Sequence, residues 1–152
     1  QLGDQQHAAL TLNNMGMVLE ARGDLSGALA RYQESLAMRE VLGDRRGMLV
    51  CRHNIGVVQS QQGNHDIALA NLEQALATAR RLEVLELERD SLKNLALALE
   101  RAGQTERALQ VYQDYKAADD QLRDEERTRQ LLTVQTRHSS GVTTATIMIA
   151  AR

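Results

Sequence analysis

An all-α fold, built as a stack of helical hairpins, is predicted by three features of this chain. The first is repetition: Asn14-Met15-Gly16 returns after 40 residues as Asn54-Ile55-Gly56 and after another 40 as Asn94-Leu95-Ala96. Behind each, at fixed offsets, follow a glycine (Gly23, Gly63, Gly103), an Ala-Leu pair (Ala28-Leu29, Ala68-Leu69, Ala108-Leu109) and a large side chain (Tyr32, Leu72, Tyr112). A repeat of this length marks a solenoid, because one unit cannot bury its apolar face alone and a stack of units can. The second is composition, with no Pro, Trp or Phe and only 3 Tyr in 152 residues, the remainder being dominated by strong helix formers. The third is the spacing of apolar residues by threes and fours, which places them on one helix face.

Taken in order, Ala8, Leu12, Met15 and Leu19 form the buried stripe of a first helix that ends at Gly23, where a left-handed residue reverses the chain. Asp24 is placed to cap a second helix carrying Leu25, Ala28, Leu29, Tyr32 and Leu36. The connector Leu42-Gly43-Asp44 leads to the second unit, in which Met48, Cys51, Ile55 and Val58 line the first helix. Gly63 and Asn64 supply the turn and the cap, and Ala68, Leu69, Leu72 and Leu76 line the second helix. The next connector, Leu82-Glu83-Val84-Leu85, has neither glycine nor cap and is expected to be tighter or partly helical. In the third unit Glu88 opens a stripe of Leu92, Leu95, Leu99 and Ala102, Gly103 makes the turn, and Thr105 is the expected cap before Ala108, Leu109 and Tyr112.

No glycine or proline stops the chain after Tyr112. One helix is therefore expected from Thr105 to about Arg137, some 33 residues or about 50 Å. Its part from Asp119 onward is heavily charged, with Leu122, Leu131, Leu132 and Val134 as sparse apolar points, as in a solvated helix or half of a weak intermolecular pair. The organisation that follows is an array over 1–122, with units at about 8–42, 48–82 and 88–122, then a polar linker helix over 123–138. Residues 139–152 are a flexible or strand-like tail, Val142 to Ile149 having strand-like composition. Residues 1–7 are expected to be the remnant of an earlier repeat, since Leu2-Gly3-Asp4 matches Leu42-Gly43-Asp44.

Small residues at the first-helix packing position (Gly16, Gly56, Ala96), a glycine turn, an alanine in the second helix and Tyr or Leu four residues on resemble the tetratricopeptide repeat. The 40-residue period, the recurrent Asn-x-Gly and the Leu-Gly-Asp connector resemble its longer-helix variant, as in kinesin light chains and bacterial signalling proteins. The resemblance covers residues 8 to about 122. It implies a right-handed superhelix of three hairpins whose first helices line a concave groove for a protein or extended peptide. On that wall it places Asn13, Asn14 and Met17, then His53, Asn54 and Val57, then Lys93, Asn94, Leu97 and Arg101. Also on it are Leu10, Glu20, Ala21, Val50, Ser60, Gln61, Asp90 and Glu100.

Asn14, Asn54 and Asn94 carry two open readings. A carboxamide donates and accepts, and so can pair with the main chain of a peptide lying across the wall; alternatively the three bond locally and fix the spacing of the units. Met17, Val57 and Leu97 form an apolar stripe beside them. The same positions hold Lys and Asn in arrays that clamp a C-terminal carboxylate, so this chain is not expected to recognise one. From Tyr115 to Leu132 the sequence resembles the helix joining such arrays to output domains in bacterial signalling proteins. That implies a sensory or regulatory input relayed through a homodimer of the C-terminal helix; a capping helix and a structural self-association module are the alternatives.

Other functions find little support. The net charge of -2 and pI near 6.1 give no clustered cationic face for nucleic acid, and Arg45-Arg46 and Arg80-Arg81 read as solvated helix ends. No stretch approaches the ~20 apolar residues of a membrane span. His7, His53, His65 and His138 lie at no metal-ligand spacing, and no phosphate loop or nucleophile motif is present; neither a cofactor, a metal nor an enzymatic activity is expected. Cys51, the single cysteine, falls at an apolar helical position and reads as a small buried hydrophobe. It fits a reducing, cytoplasmic compartment.

Overall fold

The computed structural model describes the backbone of residues 2–150 and the side chains of residues 3–136. Within these residues the chain is helical throughout: α1 (Leu2–Ala21), α2 (Leu25–Leu42), α3 (Arg45–Gln61), α4 (His65–Arg81), α5 (Leu85–Arg101) and α6 (Thr105–Ala150). α1 packs on α2 and α3 on α4 as hairpins, successive hairpins meet through α2 on α3 and α4 on α5, and α3 also touches α5. The stack closes as one compact unit over residues 1–116, and residues 117–152 form a second unit.

Turn chemistry explains where each helix stops. Gly23, Gly63 and Gly103 all take left-handed φ values, 82°, 82° and 75°, which glycine adopts without the Cβ penalty. At the connectors Gly43 has φ 65°, and Glu83, at the equivalent place one unit on, has φ 53°. The junction that lacks glycine therefore keeps the ordinary geometry of a left-handed turn and imposes it on a glutamate. A side chain there costs about 1–2 kcal/mol, partly offset by the extra freedom glycine loses on folding. Glu83→Gly is accordingly expected to raise stability by up to about 1 kcal/mol, read as a higher midpoint in denaturant.

Capping follows the sequence only in part. The Asp24 and Asp44 carboxylates accept from Gly27 N and Gly47 N at 2.9 Å. Asn64 precedes α4 without a side-chain cap, its Nδ2 donating instead to Gln59 Oε1 at 2.6 Å. Thr105 is already the first helical residue of α6, so Gln104 takes the position before it.

Packing is closest where the small residues lie. A Cβ on Gly16 would stand 2.5 Å from the Tyr32 ring, and one on Gly56 2.6 Å from Leu72 Cγ and 3.1 Å from the Ala68 carbonyl. Tyr32 and Leu72 are fully buried, each inserted into the gap that glycine leaves in the facing helix. The first junction is completed by Ala28 and Tyr32 of α2 against Ile55 and Val58 of α3, the second by Leu49, Ala75 and Ala79 with Leu82 and Leu87. In the third hairpin Ala96 puts a methyl where the glycines have none. Tyr112, at the Tyr32 position, is half exposed and leans on Tyr115 with ring centroids 5.5 Å apart.

Two further expectations are corrected. Ala8 and Met15 are exposed while Ala9 is buried, because the α1 face bearing Met15 is covered by no other helix among the described residues. Residues 2–7 are helical and belong to α1. The last helix runs beyond Arg137 to Ala150, so Val142 to Ile149 is helical and not strand-like. A strand needs a partner for its backbone groups and a helix satisfies its own.

Candidate functional site

The wall formed by α1, α3 and α5 is held by a regular set of side-chain bonds. Asn54 Nδ2 donates to Asn13 Oδ1 at 3.1 Å, Asn94 Nδ2 to His53 Nε2 at 3.1 Å, Arg101 to Ser60 Oγ at 3.2 Å and Gln61 Nε2 to Glu20 Oε1 at 3.4 Å. Each pair is separated by 41 residues, one more than the repeat. A residue on one first helix therefore meets the position one step further along on the next. The two rungs at the centre use the aligned asparagines.

The predicted wall residues divide on this geometry. Asn14 is exposed, Asn54 and Asn94 are partly buried, and Asn94 Nδ2 also donates to the Asp90 carbonyl at 3.1 Å. Met17 is 55% and Leu97 40% exposed, with Val57 between them partly buried, so the apolar stripe lies open on the surface. Lys93 and Arg101 are exposed and His53 is partly buried. Asn13 departs from expectation: it is buried at 4% and belongs to the interior, accepting from Asn54 and, weakly, from Cys51 Sγ at 3.9 Å. Ser60 is buried in the same way.

Beneath the wall lies a polar group that the sequence did not reveal. Ser35 Oγ donates to the Ala9 carbonyl at 2.7 Å and accepts from Arg39 Nε at 3.2 Å and Cys51 Sγ at 3.3 Å, while Arg39 pairs with Asp44 at 2.6 Å. Ser35 is fully buried, and its counterparts at the same position, Ala75 and Tyr115, cannot make these bonds. The only signal was the isolated serine in an otherwise apolar stripe. Cys51 is buried, and burial pushes its thiol pKa up, away from the thiolate that reacts.

His53 is the one wall residue with a perturbed titration. Burial holds its pKa below the ordinary imidazole value, against the opposing pull of Asp90 and Glu20. Geometry agrees, since Nε2 must be unprotonated to accept from Asn94. A base whose folded pKa is depressed leaves the unfolded chain binding more protons in the window below about 6.5. Stability is thus expected to be level above that pH and to fall as the pH drops below it. His53→Gln, which keeps an acceptor for Asn94, should flatten the profile between about pH 6.5 and 5.5, before the carboxylates titrate; urea denaturation across that range checks it.

Among the described residues no group of three or more His, Cys, Asp or Glu is arranged to hold a metal ion, and no helix is long and apolar enough to cross a membrane. A tetratricopeptide array is the class that this stack and its wall define. Two models of the tetratricopeptide repeat match the chain, over residues 7–81 and 54–122. The crystal structure of the TPR domain of Arabidopsis FLU superposes with a TM-score of 0.69 at 17% identity, over 77% of this chain and 98% of that one. No curated protein matches. The chain belongs to the tetratricopeptide-repeat family, and as such it is a protein–protein interaction module.

Proposed function

We propose that the chain binds an extended segment of a partner protein along the α1, α3 and α5 wall and serves as the regulatory or sensory part of a larger signalling protein, in a cytoplasmic setting and without catalysis of its own. The observation that carries this is the open stripe of Met17, Val57 and Leu97, two of them about half exposed, running beside the aligned asparagines. Exposed apolar residues that share one register across three units bring a desolvation gain to any chain laid over them. First helices roughly 8–10 Å apart match every third residue of a strand rising about 3.3 Å per residue.

The asparagines then serve two roles. Their Nδ2 groups hold the units together at Asn54 and Asn94, which leaves Oδ1 as the acceptor for a main-chain N–H. Asn14, at the start of the row, offers the whole amide, and Lys93 and Arg101 favour an acidic segment at the α5 end. Leu131, Leu132 and Val134 are 58–65% exposed on α6, an apolar row that suits pairing of two α6 helices as the relay.

A displayed library of short unstructured peptides, selected against the chain, tests the proposal. Met17→Glu, Val57→Glu and Leu97→Glu should each weaken a selected peptide by at least about tenfold, near 1.4 kcal/mol, with helicity unchanged. Peptides that bind all three variants as well as the parent chain would remove the wall as the site.

A further inference from the structure

At the α5–α6 face the chain departs from the pattern of the earlier units. Gly43 and Glu83 turn the chain after α2 and α4 with left-handed backbone, but Arg123, at the same place one unit on, lies inside α6, which continues to Ala150. No first helix of a fourth unit begins there. Tyr112 and Leu109, at the places of Tyr32 and Leu29, are 51% and 60% exposed, and with Lys93, Leu97 and Tyr115 they line a hollow of about 410 Å³. The earlier junctions show what such a face receives. Ala28 and Tyr32 take Ile55 and Val58 of α3, while Asn54, one residue before, donates to Asn13. In α5 the equivalent stretch is Asn94-Leu95 with Ala98; Leu95 and Ala98 are buried and Asn94 donates to His53. The occupant is an amide followed by apolar residues one and four positions later. The same pattern recurs in α6 as Gln130-Leu131 with Val134, and there Leu131 and Val134 are 63% and 65% exposed.

We infer that the Gln130–Val134 stretch of a second copy seats in the α5–α6 hollow of the first, its Leu131 and Val134 against Tyr112 and Ala108 as Ile55 and Val58 lie against Tyr32 and Ala28. This rests on the pairing of α6 helices proposed above and names the surface on which one α6 receives the other. The stretch must come from a second copy, because both sides of the contact belong to the single helix Thr105–Ala150 and a helix does not bend back onto its own earlier turns. The rungs of the wall give an independent check of register. Asn13 meets Asn54 and His53 meets Asn94; the next rung falls on Lys93 and, in the occupant, on Gln130. Lys93 is exposed and has only donors. Gln130 Nε2 donates to Glu126 Oε1 at 3.4 Å, which leaves Gln130 Oε1 to accept from Lys93. An extended peptide could also serve Lys93, but residues three apart in a strand point to opposite sides and would not both enter the hollow.

Sedimentation equilibrium of the 152-residue chain should give an average mass that rises above 16.9 kDa between about 1 μM and 1 mM, the range of weak interfaces. Tyr112→Glu and Val134→Glu, both at exposed positions, should each weaken association at least about tenfold with parental helicity. Mixed in equal amounts they should form dimers, since Tyr112→Glu still offers the stretch and Val134→Glu still offers the hollow. A mixture no more associated than either variant alone overturns the inference. So does association that withstands Tyr112→Glu and is lost with Val134→Glu, which would leave the apolar rows of two α6 helices pairing with one another. A parent chain that stays monomeric over the whole range overturns the inference and that pairing together.

Discussion

Replacing Tyr32 by alanine is expected to destabilise the array by about 3–5 kcal/mol, the cost of removing a fully enclosed aromatic side chain. The ring has no exposed surface, lies against the Gly16 backbone and forms the α2 side of the first junction with Ile55 and Val58. Its hydroxyl donates to Glu20 at 2.8 Å, and burial followed by that carboxylate pushes the phenol pKa well up. Tyr32→Phe keeps the ring and loses only the bond, for about 1 kcal/mol, with Glu20 still able to accept from Gln61. Tyr112→Ala supplies the internal comparison: the same residue at the same place in the repeat, already half exposed, should cost about 1–2 kcal/mol. Denaturant titration of the three variants against the parent chain distinguishes enclosure from residue type. In a linear stack a weakened junction also uncouples the units on either side of it, so Tyr32→Ala should broaden the transition as well as lower its midpoint.

Gly56→Ala is expected to destabilise as well, even though alanine is the better helix former by about 1 kcal/mol. The added methyl would stand 2.6 Å from Leu72 Cγ and 3.1 Å from the Ala68 carbonyl oxygen. Leu72 is fully buried and backbone cannot step aside, so the hairpin must part, at about 1–3 kcal/mol for overpacking. The clash is removable from the other side. Leu72→Ala should itself cost about 2–5 kcal/mol, and the double variant should be less impaired than the sum of the two, a coupling that a double-mutant cycle measures. In the third unit alanine already stands at this place, as Ala96, with Tyr112 at the position of Leu72.

The hairpins, their order and their turns were legible because they depend on local chemistry repeated three times: glycine where φ must be positive, alanine where helices cross, apolar residues at three and four. Glu83 shows how strongly the stack imposes that geometry, since it bends a glutamate to fit. Legibility failed where an outcome depended on what lies across a face. Met15 and Tyr112 carry core-like residues at core-like positions, yet their exposure is set by whether another helix covers them. Asn13 and Asn14 look alike in the sequence, but Asn13 is buried where Asn54 of α3 donates to it, while Asn14 lies in the open. Val142 to Ile149 reads as a strand by residue type, and a helix forms there because β-branched residues realise that preference only when another strand pairs with them.

The wall remains the centre of the functional account, and its side-chain amides report on it directly. Asn14, Asn54 and Asn94 give NH₂ signals in a ¹⁵N-labelled chain, while Gln33 on α2 and Asn71 on α4 give others from the second-helix side of the stack. Titrating in a selected peptide should move the first three signals together, saturating at one affinity, with Gln33 and Asn71 unmoved. Shifts confined to Gln33, Asn71 or the α6 residues would contradict the account.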